Sequence, residues 1–346
     1  MLSEKQMDEI KEHLGLAQNP LFLFDNDSDG ICSFLLLQRY LGRGKGVAIK
    51  SFPSLTKDYL RKAEELKSDY IFVLDKAIIS KEFFDYIHEL NLPLIWIDHH
   101  EVQVQIPDFV NYYNPLHGDI KSEEPISFIC YELTRRQMDQ WIAIAGCIAD
   151  KFIPPFYKEF SISYPDLAIE SSDAFDILYN SKIGKISRII NFGLKDRVTN
   201  VVHMTKFLIK ADSPYSVLEE NKKNILMHKR FNEIDSKEKK LLQKALLVAK
   251  KSQNLLYFQY GGDLSISADL SNELNFLFPK KIVVVVYIRG TKGNISVRGK
   301  GVKFIVLKSI EGLEGATTGG HDDAVGAQVR VEDLDKFREN LVKFVG

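Results

Sequence analysis

Three short apolar runs, each stopped by an acid, constrain the fold of this chain more than any other feature. Leu21-Phe22-Leu23-Phe24 stops at Asp25, Ile71-Phe72-Val73-Leu74 at Asp75, and Leu94-Ile95-Trp96-Ile97 at Asp98. Runs of this length without alternation read as strands buried on both faces. The stretches between them carry helical periodicity, and Ser28-Asp29-Gly30 opens a helix over about 31–42. The pattern is β-α-β-α-β, which predicts a parallel sheet covered by helices on both faces. In such sheets ligands bind beyond the carboxyl ends of the strands, and that is where all three runs deliver acids or histidines.

The rest of the chain reads in the same terms. Residues 1–14 suggest a short amphipathic helix, 126–152 a helix ending at Asp150, and 160–215 helices with short breaks. A strongly charged helix over 236–251 suits a connector. A second α/β unit follows: strands at 255–260 and 282–288, a helix at 268–277, and a strand at 294–298 paired across the 290–293 turn. After another helix comes Thr317-Thr318-Gly319-Gly320-His321, and a helix near 332–344 closes the chain. A length of 346 residues suits two domains.

Composition excludes some classes. With 45% hydrophobic and 27% charged residues the chain reads as globular. The net charge of -1 means that any basic surface must be local. Cys32, Cys130 and Cys147 each lie in an apolar run without a CxxC pair, as expected for buried thiols in a reducing cytoplasm. The charged N-terminus lacks the apolar core of a signal peptide. No apolar stretch reaches the ~20 residues of a membrane span.

The chemistry concentrates in acids. Asp25, Asp27 and Asp29 alternate within DNDSDG, and carboxylates at ~4–6 Å disfavour one another's ionisation unless a cation intervenes. An EF-hand loop would need glutamate at position 36, which is Leu36, and apolar helix follows Gly30, so calcium is rejected. Asp98-His99-His100 pairs a carboxylate with two imidazoles at a strand end. Asp25, Asp27, Asp29, Asp75, His99, His100 and Asp150 can converge at one sheet edge. That set suffices for two divalent cations sharing Asp75, an arrangement suited to in-line displacement at phosphorus.

In this order D-x-D-G, a lone aspartate after a strand, D-H-H and a later aspartate resemble the four motifs of the DHH phosphoesterases. The SVRG and GGH segments resemble the associated DHHA1 domain. The chain looks most like the RecJ-like exonucleases, in particular the archaeal branch with the Hef-associated and GINS-associated nucleases. The resemblance implies a catalytic domain over 1–215, a helical connector over 216–251 and a smaller α/β substrate-binding domain over 252–346, facing each other across a cleft. It implies that Asp29, Asp75, His99 and Asp150 hold one metal. Asp27 and Asp75 hold the other, with Asp25 where many members have histidine. Asp98 is expected to orient a histidine and His100 to sit near the scissile phosphate. Arg298, Gly319, Gly320 and His321 are expected to bind substrate.

The implied activity is metal-dependent cleavage of single-stranded DNA or RNA, most simply as a 3′→5′ exonuclease in repair, replication or RNA turnover. Two divalent cations are expected, Mn²⁺ before Mg²⁺. A helicase, nuclease or GINS-like replication or repair protein is the expected class of partner, with a homo-oligomer left open and no membrane association. Two alternatives stand beside it: a phosphodiesterase for short oligonucleotides or cyclic dinucleotides, and a non-catalytic replication or repair scaffold.

Overall fold

A computed structural model describes residues 1–51, 53–102, 104–118 and 121–345. The chain divides into two compact units, Met1–Phe231 and Asn232–Gly346. A helix, Ile225–Ala249, contains the boundary between them. Among the described residues no helix is long and apolar enough to cross a membrane.

The first unit is built on five strands: β1 (Pro20–Asp25), β2 (Lys45–Ile49), β3 (Tyr70–Leu74), β4 (Leu94–Ile97) and β5 (Val110–Tyr113). Their order is β2-β1-β3-β4-β5, and every pairing is parallel. The three apolar runs are the central strands, and Leu21–Phe24, Ile71–Leu74 and Leu94–Ile97 are buried throughout. β2 and β5, which the apolar runs did not announce, are the edges. Each is four or five residues long and only partly buried, so neither needs a continuous apolar run. The chain leaves β1 toward β2 on one side and returns to β3 on the other. Asp25 and Asp75 therefore end adjacent strands at the point where the winding reverses, the usual ligand position in such sheets.

The helix Ser28–Leu41 packs Phe34 against Phe22 and Phe24 of β1, with ring centroids 5.5 and 5.1 Å apart. Residues 126–152 are not one helix. Ile126–Thr134 ends with Arg135 at φ 44°, a 3₁₀ turn covers Gln137–Asp139, and Gln140–Ala149 follows. The break has an electrostatic reason. The fully buried Asp139 carboxylate lies 2.7 Å from the Arg39 guanidinium and also pairs with Arg136. Arg39 in turn donates to the carbonyls of Leu208, Ile209 and Ala211 at the end of the helix Val198–Ile209. A continuous helix would not place Asp139 there.

The second unit holds β6 (Leu255–Gly261), β7 (Ile282–Arg289), β8 (Lys292–Arg298), β9 (Thr317–His321) and β10 (Ala324–Arg330), in the order β6-β7-β8-β10-β9. Only β6 and β7 run parallel; the other pairings are antiparallel. Val284, Val286, Ile295, Val297, Val325 and Phe337 centre its core. The segment 317–321 is an edge strand of a tight hairpin with β10 and not a free loop.

Candidate metal centre

β1 delivers its acids through the first turn of the next helix. Asp27 caps the helix Ser28–Leu41, its Oδ1 accepting the Gly30 amide at 3.0 Å. A Cβ on Gly30 would stand 2.4 Å from the Asp25 carbonyl oxygen, so only glycine lets the helix start this close to the strand end. Asp29, fully buried, faces the start of a different helix. It accepts the amides of Ile126 and Ser127 at 2.7 and 2.8 Å, together with the Ser127 hydroxyl. A carboxylate at a helix N-terminus is stabilised by amide donors and by the helix dipole.

β3 delivers Asp75 with φ 59°, left-handed backbone at a non-glycine residue. Such strain collects at functional sites. Oδ1 of Asp75 lies 3.2 Å from Nε2 of His99 and 3.8 Å from Nδ1 of His100. β4 delivers Asp98, His99 and His100. Asp98 accepts the His100 amide at 3.1 Å and stands 2.9 Å from its Nδ1, which fixes the ring. Asp150, at the end of the helix Gln140–Ala149, places Oδ2 3.5 Å from Nε2 of His99. All of these acids and histidines of the first unit therefore meet at one end of the sheet, beyond the carboxyl ends of β1, β3 and β4.

The charges there are in conflict. Burial, with the Asp25 and Asp150 carboxylates, pushes Asp27 up to about 7 despite the Gly30 hydrogen bond. Burial and the neighbouring Asp27 and Asp29 drive Asp75 well above the carboxylate range. Burial and Asp29 raise Asp150 to about 6. Burial alone would lower the imidazoles, but the surrounding carboxylates win: His99 is raised, and His100, beside Asp98, reaches about 9. Asp98 moves the other way, because the two histidines outweigh its burial.

This donor set fits a divalent cation. The buried Oδ1 of Asp75 accepts no hydrogen bond from the described residues. Asp29, Asp75 and His99 bring one donor atom each within 4.8 Å of one another, and so do Asp75, Asp98 and His100. Mixed carboxylate and imidazole donors suit Mn²⁺ and related ions.

A pH dependence follows for the protein kept in chelator. The folded values of Asp27 and Asp150 lie above the ordinary 3.8, so their contribution to stability is full below 3.8 and is lost as pH rises through about 6 and 7. His100, raised from 6.5, contributes fully below 6.5 and loses its contribution as pH rises through about 9. All three slopes have the same sign, so the melting temperature in chelator is expected to fall across this window. Mn²⁺, which binds deprotonated carboxylates, should flatten or reverse the fall. Equal melting curves in chelator across the window would refute this account of the centre.

Two residues at the centre carried no signal that was read from the sequence. Lys76, directly after Asp75, is buried and places Nζ 3.2 Å from Oδ1 of Asp25. Ser127, at a helix start, is a partner of Asp29. The position of Lys76, two residues past the buried strand β3, was the available clue.

The remaining expected residues lie in the second unit. Arg298 donates from Nε to Oδ1 of Asn272 at 2.5 Å, which ties β8 to the helix Ser267–Leu277, and from Nη1 to the carbonyl of its neighbour Val297 at 2.9 Å. Gly320 has φ 133°, and a Cβ there would meet the Ala324 carbonyl oxygen at 2.3 Å, so the hairpin itself requires glycine. Gly319 has open space where a Cβ would stand. His321 ends β9. Asp323 is exposed, and its Oδ1 accepts the Gly301 amide at 2.8 Å ahead of the helix Val302–Ile310.

Comparison with known proteins gives the same architecture. Residues 21–150 match the DHH family, N-terminal domain. No curated protein sequence matches the chain. RecJ from Thermus thermophilus in complex with Mn²⁺ aligns with a TM-score of 0.69 at 15% identity, over 99% of this chain and 54% of that one. This chain thus spans about half the length of the Thermus protein. An exonuclease RecJ bound to manganese aligns with a TM-score of 0.65 at 14% identity, over 100% of this chain and 95% of that one. CDC45 from Entamoeba histolytica aligns with a TM-score of 0.50 at 9% identity, over 98% of both chains. At these identities the likeness establishes a shared fold, a parallel five-stranded unit followed by a smaller mixed-sheet unit.

Proposed function

We propose that this chain, whose residues 21–150 match the DHH family, N-terminal domain, is a divalent-cation-dependent phosphodiesterase that degrades single-stranded DNA or RNA from an end, with 3′→5′ polarity. One observation carries the reading: Asp75, His99 and Asp150 come from three separate segments and meet within 3.5 Å contacts at the switch point of the sheet. A structural ion pair would not need a strained aspartate whose Oδ1 accepts no hydrogen bond from the described residues. Retention of this whole set argues against a purely scaffolding role.

The residues divide the work. Asp27, Asp29, Asp75, His99 and Asp150 are assigned to cation binding, with Asp75 serving both subsites. Divalent cations bound there would activate water and neutralise charge on the phosphate oxygens. Mn²⁺ should serve better than Mg²⁺, because the imidazole of His99 is a softer donor than carboxylate. Asp98 positions His100 through Nδ1, and the imidazolium is assigned to a phosphate oxygen of the substrate. In the second unit Arg298, Gly319, Gly320 and His321 are assigned to gripping the nucleic acid, a role that a replication or repair partner could extend.

The test uses end-labelled single strands of DNA and of RNA, from the dinucleotide upward, with either end blocked, in Mn²⁺, Mg²⁺ and chelator. Stepwise shortening from the 3′ end in Mn²⁺ is expected. Hydrolysis confined to the shortest oligonucleotides would replace the exonuclease reading with a short-oligonucleotide phosphodiesterase. A folded protein that leaves every substrate intact would favour the scaffold.

A further inference from the structure

The resemblance assigns position 25 to the second cation, yet Asp25 already has a cation of its own. Nζ of Lys76 stands 3.2 Å from its Oδ1, and the lysine side chain is only 7% exposed. The lysine is fixed at both ends. Its backbone carbonyl accepts the Nε1–H of the buried Trp96 at 2.9 Å, and Nζ lies 3.5 Å from the Ser51 carbonyl. The same Oδ1 of Asp25 also accepts the Asn26 amide at 2.9 Å. A buried ammonium is held in place by its partners, since leaving it unpaired is costly. Lys76 is therefore held as the ion-pair partner of Asp25 at the rim of an acidic centre, one residue from Asp75.

We propose that the Lys76 ammonium takes the charge that a second divalent ion would bring to the Asp25–Asp27 subsite, so that this chain binds one divalent cation tightly and a second only weakly. The proposal rests on the cation-binding reading above. Two consequences distinguish it from an ordinary two-metal centre. An oxygen already paired with an ammonium is a poor ligand for a cation, and an ammonium held there repels a divalent ion brought beside it. Asp25 then acts as the anchor of Lys76, and the tight site consists of Asp75, His99 and Asp150 with the adjacent Asp29.

Direct Mn²⁺ titration of the full chain followed by electron paramagnetic resonance tests this without substrate. The unaltered protein is expected to bind one tight ion per chain with the spectrum of an isolated Mn²⁺. Lys76→Met removes the charge while keeping the length of the side chain. It should tighten the second ion about 10-fold or more and produce the spectrum of an exchange-coupled pair. Asp25→Asn should leave the single tight ion in place. If Lys76→Met does not fold, the other two proteins still decide. One tight ion in both supports the proposal; two in the unaltered protein and one in Asp25→Asn overturns it. Two equally tight ions in the unaltered protein with no change in Lys76→Met also overturns it. Failure of all three proteins to bind Mn²⁺ tightly overturns the metal-centre reading and this proposal with it.

Discussion

Asp75→Asn is expected to abolish nucleic-acid cleavage while making the metal-free protein more stable. The carboxylate is buried, its backbone is held at φ 59°, and burial with Asp27 and Asp29 opposes its ionisation. Asparagine tolerates left-handed backbone and carries no charge, so the folded chain loses a repulsion and keeps its shape. The catalytic loss should reach about three orders of magnitude in kcat, or about 4 kcal/mol of barrier, because Asp75 is the group assigned to both cation subsites. Asp75→Ala should be as inactive but gain less stability, since alanine is less at ease at positive φ. Single-turnover cleavage in Mn²⁺ and melting in chelator separate the two effects. Near-normal turnover by Asp75→Asn would remove the metal mechanism; a lower melting temperature in chelator would show that the buried carboxylate is not the burden its surroundings indicate.

Asp29→Ala should behave in the opposite way and destabilise the first unit. Its carboxylate accepts the Ile126 and Ser127 amides and the Ser127 hydroxyl in full burial. Removing it strands three donors at a helix start, for a loss of about 3 kcal/mol or more. For a unit of this size that corresponds to roughly 6–12 °C in Tm. Ser127→Ala, which removes one donor along with the bond, should lose much less. Thermal melting in chelator measures both, free of any cation effect. An Asp29→Ala protein that melts with the unaltered one would mean that the helix Ile126–Thr134 does not depend on this anchor.

What could be read from the sequence followed burial. β1, β3 and β4 are buried on both faces, and only apolar residues serve there, so their runs were plain. β2 and β5 lie at the sheet edges, where partial exposure admits Lys45, Asn111 and two tyrosines and blurs the strand pattern. The break in 126–152 was hidden because it depends on Asp139 meeting Arg39, a pair one hundred residues apart. The acids and histidines that meet at the centre were legible as a group because each lies within a few residues of a strand's carboxyl end or at a helix terminus. The partners that decide what each carboxylate does were not. Asp29 meets Ser127, and Asp25 meets Lys76, only after the sheet has assembled. Gly320 was expected among the substrate-binding residues, and the β9–β10 hairpin requires glycine there for backbone reasons of its own.

The strand order of the first unit bears on how such a chain can change over generations. The central strands ask only for apolar volume, which many sequences supply. Each group of the centre stands past a strand end or at a helix terminus, outside the packed interior of the sheet. Drift in the interior can thus proceed almost independently of drift at the centre. Chains sharing only 9–15% of their residues can keep one architecture. By the same separation, a handful of substitutions beyond the strand ends would suffice to retire the chemistry of a descendant and leave its scaffold whole.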